Sequence, residues 1–380
     1  MKNFVFHNPT EILFGTGMIA ELGSRVPADT PVLLLYGGGS IKSNGVYDQV
    51  VAALDGRAWS EFGGIEANPD YDTCLRAVEQ LKAKKAGFIL AVGGGSVLDA
   101  AKFIAAAARD TRDDPWRIVT DGGSSITEAL PIGAVLTLPA TGSESNGNSV
   151  ISRRSTKEKR AFGSQLVFPR FSVLDPDTTT TLPRKQVRNG IVDTFSHVIE
   201  QYMTGFTDAP LQDRFAESII QTLAEVGRTT LDDPKQYRAR SAFMWSATLA
   251  LNKLLGCGVP QDWSTHMIGH ELTALYGLDH AETLAIVMPG VWKYKLESKK
   301  VKLAQYAARV WGASTAEDAI EKTEQFLASL EMPTRFGAYG IDAAEAAAAV
   351  KERFESRDVS CGEDNDINGA AAAEILSGRA

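Results

Sequence analysis

The chain has 380 residues, 44% of them hydrophobic, which is too long for one ordinary core, since single cores stop growing at roughly 250–300 residues; two domains are expected. A formal charge of -8 speaks against a nucleic-acid or anionic-membrane surface, both of which need clustered Lys and Arg, and no stretch has the length and apolarity of a membrane span or signal peptide. Cys74, Cys257 and Cys361 are odd in number, scattered and without a C-x-x-C pair, so a soluble, unprocessed cytoplasmic protein acting on small molecules is expected rather than a disulfide scaffold or a thiolate metal site.

In chain order, the first half alternates apolar runs with glycine turns and helical stretches. Pro31–Tyr36 stops at Gly37-Gly38-Gly39-Ser40, Gly87–Val92 stops at Gly93-Gly94-Gly95-Ser96 and runs into VLDAAKFIAAAAR, and Gly133–Leu138 stops at PATGSES. Short apolar runs without polar alternation, each followed by a helix, predict buried parallel strands in βα units, with ligands gathering at their carboxyl ends. The segment GGGSVLDAAK puts backbone N–H groups and a helix N-terminus where a pyrophosphate can approach, though neither glycine loop is a G-x-G-x-x-G or P-loop motif. In the first loop no acid follows Tyr36 and Lys42 lies close behind, so a ribose held there favours NADP(H): a carboxylate would repel the 2′-phosphate. The basic run Arg153, Arg154, Lys157, Lys159, Arg160 reads as a solvated hairpin, and DPDTTTTLPRKQ as a boundary. Beyond Pro183 the patterning is helical, down to an Ala-rich terminal helix.

Histidine is scarce, and four of the five gather here. His197 follows Asp193 by four residues, so both project from one helix face; His266 and His270 repeat that spacing after the possible caps Asp262 and Ser264, and His280 lies beyond the Gly277 turn. Imidazole with carboxylate suits Zn²⁺ or Fe²⁺. Five groups exceed the four of a tetrahedral site, and spacing alone does not say which stands off.

The pattern Asp193-x₃-His197 and His266-x₃-His270-x₉-His280, with GGGSVLDAAK, LPATGSE and Asp175-Pro176, resembles the iron-containing (group III) alcohol dehydrogenases. Through YGGGS, FGGIEANP and GLDHAETLAIV it is most similar to their NADPH-dependent aldehyde reductases and butanol dehydrogenases. The likeness runs from PTEILFG to about Met332. It implies a dehydroquinate synthase-like superfold: an α/β dinucleotide-binding domain with a mainly parallel sheet over residues 1–182 and an all-α metal-binding domain over 183–380. It implies metal ligands at Asp193, His197, His266 and His280, with His270 left beside the substrate as a proton relay. Cofactor contacts are implied at Gly37, Gly38, Gly39, Ser40, Gly94, Gly95, Ser96, Asp99, Thr137, Thr141 and Lys159. NAD-preferring members usually carry Asp where this chain has Gly37, and many relatives read Thr-Thr where it has Thr137-Leu138. No role carries over to the tail segment GEDNDI. The implied activity is hydride transfer between NADP(H) and short- to medium-chain aldehydes or primary alcohols, mainly reduction, by a homodimer holding one Fe²⁺ or Zn²⁺. Asn146, Val150 and Trp263 are expected as pocket walls. The alternatives are a dehydroquinate synthase-like or polyol dehydrogenase activity on the same superfold and, remotely, a non-catalytic nucleotide or metal sensor.

Overall fold

A computed structural model describes residues 1–380. The strands are β1 (Glu11–Phe14), β2 (Val32–Tyr36), β3 (Trp59–Phe62), β4 (Phe88–Gly94), β5 (Ile132–Leu138), β6 (Asn148–Arg153), β7 (Glu158–Gly163) and β8 (Phe171–Leu174). Between and before them run α1 (Leu22–Arg25), α2 (Ser40–Ser43), α3 (Val46–Ala53), α4 (Tyr71–Ala83), α5 (Gly95–Ala107) and α6 (Arg117–Thr120). After Leu174 every helix or strand assigned is helical: α7 (Arg184–Tyr202), α8 (Pro210–Asp232), α9 (Tyr237–Leu251), α10 (Ser264–Tyr276), α11 (His280–Tyr294), α12 (Leu296–Tyr306), α13 (Ala316–Ser329), α14 (Ala343–Ser356) and α15 (Gly369–Ser377).

Six strands form one sheet in the order β1-β8-β5-β4-β2-β3, all pairs parallel, while β6 and β7 make a separate antiparallel ribbon. The alternation of side chains along a strand splits β2 cleanly. Val32, Leu34 and Tyr36 pack with Val46 and Val50 of α3; Leu33 and Leu35 pack on the other face with α4 and α5. Helices therefore cover both faces, which is why these strands read as continuous apolar runs. From β2 the chain leaves toward β3 at one edge, and from β4 it leaves toward β5 on the other side. The carboxyl ends of β2 and β4 thus form the switch point where doubly wound sheets bind ligands, and both glycine loops sit there.

The chain divides into two compact units: Met1–Phe6 with Pro183–Asp233 and Trp245–Ala380, and His7–Leu182 with Pro234–Met244. Two short segments thereby depart from a single cut between residues 182 and 183. The N-terminal residues are held in the helical unit because the Met1 ammonium donates to Asp208 O (3.0 Å) and Lys2 N to Gly258 O (2.9 Å). The start of α9 belongs with the sheet because Arg240 Nη1 donates to Thr179 O at 2.8 Å and Met244 enters the sheet's core. No helix is long and apolar enough to cross a membrane.

Candidate metal centre and glycine loops

The four residues Asp193, His197, His266 and His280 each offer a donor atom, and these atoms lie within 4.8 Å of one another. Their convergence begins on α7, buried almost throughout from Gly190 to Tyr202. Asp193 and His197 face the same way one turn apart, with His197 Nε2 3.5 Å from Asp193 Oδ1. One turn before Asp193, Asn189 Nδ2 donates to Asp279 Oδ2 at 2.7 Å, and Arg188 pairs with Glu282 at 3.1 Å. Asp279 precedes α11 and its amide donates to Glu282 Oε2 at 3.0 Å, a capping box that starts the helix at His280. The face of α7 that carries Asp193 therefore also pins α11, leaving His280 Nε2 3.6 Å from Asp193 Oδ1. Close approach of α10 and α11 completes the set: a Cβ on Gly269 would come within 2.8 Å of Thr283 Oγ1, and the His266 and His280 ring centroids are 5.1 Å apart.

Asp193 Oδ1 is buried and accepts no hydrogen bond, a costly condition for a carboxylate unless a cation meets it. With three imidazoles around it, the donor set suits Fe²⁺ or Zn²⁺. His270 stands outside the four, its ring centroid 5.2 Å from that of His280 and 6.2 Å from that of His266. Trp263, before α10, adopts a left-handed φ of 60°, strain that a bulky side chain rarely carries. Its ring packs edge-on to His266 at 5.2 Å and lies 6.2 Å from that of His197.

Glu200, one turn beyond His197, was not singled out from the sequence. It accepts from the Thr265 amide at 2.6 Å through Oε1 and meets His266 Nδ1 through Oε2. Burial first, then the neighbouring Asp262, push its carboxyl up to about 8 against the hydrogen bonds from Thr265. Asp262 accepts the Ser264 amide at 3.0 Å, but neither expected cap is the cap residue of α10, which is Trp263. Burial would raise the Asp262 carboxyl too, but Lys299 and Ser264 more than reverse that and hold it below the ordinary value. The only signal for Glu200 was its position three residues past His197 on a buried face.

In the sheet unit, Gly37, Gly38 and Gly39 follow β2 and Ser40 opens α2; the cap residue is Gly39, with φ 93°, rather than Ser40. A Cβ at Gly38 or Gly39 would meet nothing within 4 Å, so this loop has open space above its backbone. The second loop differs. A Cβ at Gly93 would fall 2.5 Å from Val97, and one at Gly95 2.4 Å from Thr141 Oγ1. Two of its three glycines are thus required by packing where α5 meets β4 and β5, and Gly94 ends β4 with Ser96 in the first turn of α5. Asp99 lies one turn on, its carboxylate accepting from Ser143 Oγ (2.6 Å) and Val150 N (3.0 Å). Thr137, next to the end of β5, is buried; Thr141 Oγ1 accepts the Ser143 amide at 3.3 Å; Lys159 lies on β7 and its charge lowers the Asp99 carboxyl, which burial raises overall.

Two expectations need correction. Asn146 is not a pocket wall: it is buried and accepts from Lys102 Nζ at 3.1 Å. Arg153 is only partly solvated, because its guanidinium lies over Tyr71 (4.9 Å) and Trp116 (5.5 Å), gaining cation–π attraction, while Arg154, Lys157 and Arg160 are exposed. Lys102, unremarked in the sequence, is fully buried and donates further to Ser143 Oγ (2.7 Å) and Asn148 O (2.6 Å).

A carboxylate-and-imidazole cation site in one unit, and a doubly wound sheet with glycine loops at its switch point in the other, define the metal-dependent, dinucleotide-linked class of two-domain proteins. The models of the iron-containing alcohol dehydrogenase family and of its C-terminal region match residues 9–176 and 188–372. The chain is 53% identical over 374 residues to the NADPH-dependent aldehyde reductase YqhD of Escherichia coli, covering 97% of both chains. It is 42% identical to NADP-dependent alcohol dehydrogenase 3 of Entamoeba histolytica over 376 residues, again covering 97% of both. Among solved structures, an NADH-dependent butanol dehydrogenase A from Thermotoga maritima is similar with a TM-score of 0.93 at 37% identity, over 100% of this chain and 99% of that one. The chain belongs to the iron-containing alcohol dehydrogenase family.

Proposed function

We propose that the protein is a metal-dependent, NADP(H)-linked alcohol dehydrogenase that acts mainly as an aldehyde reductase on short- to medium-chain substrates. The observation that carries this is the buried, hydrogen-bond-free Asp193 Oδ1 at the focus of three imidazoles, together with the NADPH-dependent aldehyde reductase named above at 53% identity. Asp193, His197, His266 and His280 would hold one Fe²⁺ or Zn²⁺. When bound, the cation draws electron density from a carbonyl oxygen and NADPH supplies the hydride.

The chain's own residues do the rest. Burial of Asp193, His197 and His266 on α7 and α10 keeps bulk water from three of the four donors, so their charges act at low dielectric. Because His266 Nδ1 is taken by Glu200, Nε2 is the nitrogen left for the cation. His270, beside the cluster yet outside it, would pass the proton gained by the substrate oxygen through a ring nitrogen, as an imidazole titrating near working pH can. The open amides of Gly38 and Gly39 and the N-terminal turn of α5 at Gly94, Gly95 and Ser96 would receive phosphates. At Gly37 no carboxylate opposes a 2′-phosphate, and Ser40 can donate to it. Asp99, oriented by Ser143 and Val150, would accept from the cofactor, with Thr137, Thr141 and Lys159 as further contacts.

Three buried free cysteines support a reducing, cytoplasmic setting. Phe4, Val5 and Phe6 are exposed on the single chain, an apolar stretch that a second copy would cover, which supports a homodimer. The test is NADPH oxidation by chelated protein resupplied with Fe²⁺ or Zn²⁺ across an aldehyde panel.

A further inference from the structure

The tail segment GEDNDI, to which no role carried over, is tied to the metal centre through buried charge. The loop is closed by reciprocal backbone hydrogen bonds between Cys361 and Ile367, both 3.0 Å. Asp364 and Asp366 pair with Lys295, the first at 3.4 Å, and Glu363 accepts the Gly205 amide at 3.0 and 2.8 Å. Glu363 also pairs with Lys299 of α12. That lysine is 1% exposed and donates to Met203 O at 2.7 Å and Asp262 Oδ2 at 2.8 Å. Asp262 in turn donates its amide to Glu200 O at 2.9 Å and accepts the Ser264 amide at 3.0 Å, at the start of the helix that carries His266. Glu200 reaches both the Thr265 amide and the His266 ring.

We propose that Glu200, braced by Asp262, Lys299 and Glu363, is the positioning residue of the metal centre: it holds the proton of His266 on Nδ1 and turns Nε2 toward the cation. The Gly362–Ile367 loop is thereby part of that centre. This rests on the ligand set given above. An imidazole can offer a lone pair from one nitrogen only while the other keeps its proton, and a carboxylate on Nδ1 fixes which is which. Lys299 pairs with Asp262 and Glu363 and with neither Asp193 nor Glu200 in those contacts, so it balances the acids at the start of α10 and leaves the charge of Asp193 to face the cation. Replacing Glu200 by Gln keeps size and shape but reverses the hydrogen bond. If the Gln oxygen accepts from Thr265, its NH₂ faces His266 Nδ1, and the proton moves to Nε2, where it blocks coordination.

The experiment is a chelator-competition titration of Zn²⁺ affinity, with the His266 tautomer read by isotope-edited histidine NMR, on wild type, E200Q, K299M, E363Q, K302M and H266A. Lys302 supplies the control. It is equally buried one turn along α12 and pairs with Asp213 at 2.7 and 2.8 Å, outside this chain of contacts. We expect E200Q to lose about 10–100-fold in affinity with the His266 proton shifted to Nε2, and K299M and E363Q to lose about tenfold. K302M loses thermal stability but not affinity. Wild-type affinity and tautomer in E200Q, or equal metal loss in K299M and K302M, would overturn the proposal. Should E200Q not fold, E363Q and K299M against K302M decide it alone. Metal affinity retained by H266A would instead overturn the ligand set itself.

Discussion

Lys102 offers the sharpest test of how the sheet unit supports its loops. Its ammonium is wholly buried and donates to Ser143 Oγ, Asn146 Oδ1 and Asn148 O at 2.7, 3.1 and 2.6 Å, and its charge is the strongest influence lowering the Asp99 carboxyl against burial. K102M keeps the volume, so little cavity cost arises. What remains is Ser143 Oγ, Asn146 Oδ1 and Asn148 O stripped of a charged donor and a carboxylate without the charge that most lowers it, together worth roughly 3–5 kcal/mol. Burial already raises the Asp99 carboxyl, and without Lys102 it rises further. A folded-state value above the unfolded one means that stability is present at acid pH and lost as pH rises through the folded value. The deficit of K102M therefore grows with pH, and adding D99N recovers much of it, a coupling that a double-mutant cycle isolates. Hydrogen exchange of α5 and β6 reads the loss locally, with bound metal unchanged. A deficit below about 1 kcal/mol, or strictly additive D99N and K102M effects, would refute the reasoning.

Gly37 has ordinary backbone geometry, and a Cβ there would stand 3.2 Å from Ile65 O, so G37D is accommodated by a small shift. It adds a carboxylate that opposes a 2′-phosphate, and NADPH affinity falls about tenfold or more while NADH affinity holds; equal losses for both, measured by nucleotide fluorescence titration, would mean a collapsed loop instead. Glu324 Oε1 accepts from Arg335 at 2.6 Å and from the fully buried Arg379 at 2.7 Å. Burial would raise its carboxyl, but the two guanidinium groups pull it below the usual range. Its stabilisation is therefore present above the ordinary carboxylate value and lost as pH falls through the depressed one. E324Q melts lower than wild type at neutral pH, by roughly 2–3 kcal/mol of stability, and the two converge only as pH falls through the depressed Glu324 value.

A five-group metal cluster was legible because helical spacing is local: Asp193 with His197 needs only a turn of α7, and scarcity made the histidines conspicuous; that His270 stands outside the four was what the family resemblance implied, not what spacing showed. The strands β2, β4 and β5 were legible as unbroken apolar runs. Short β1 and β3 were not, since they lie at the sheet's edges and bury little. The triple glycines looked alike in sequence but differ in cause, open backbone at Gly38 and Gly39 against tight packing at Gly93 and Gly95. Lys299 and Glu363 were silent because their meaning lies in partners far along the chain, Asp262 and Gly205. Arg153 was misread because nothing local announces that Tyr71 and Trp116 wait for it.

The most direct test of the central claim is NADPH consumption by one preparation assayed as purified, after chelation, and after resupply of Fe²⁺ or Zn²⁺, with nucleotide binding followed in parallel. Chelated protein binds NADPH but does not oxidise it with any aldehyde, and at least one of the two metals restores turnover. Undiminished aldehyde-dependent oxidation by metal-stripped protein would contradict the assignment of Asp193, His197, His266 and His280 as the centre of catalysis.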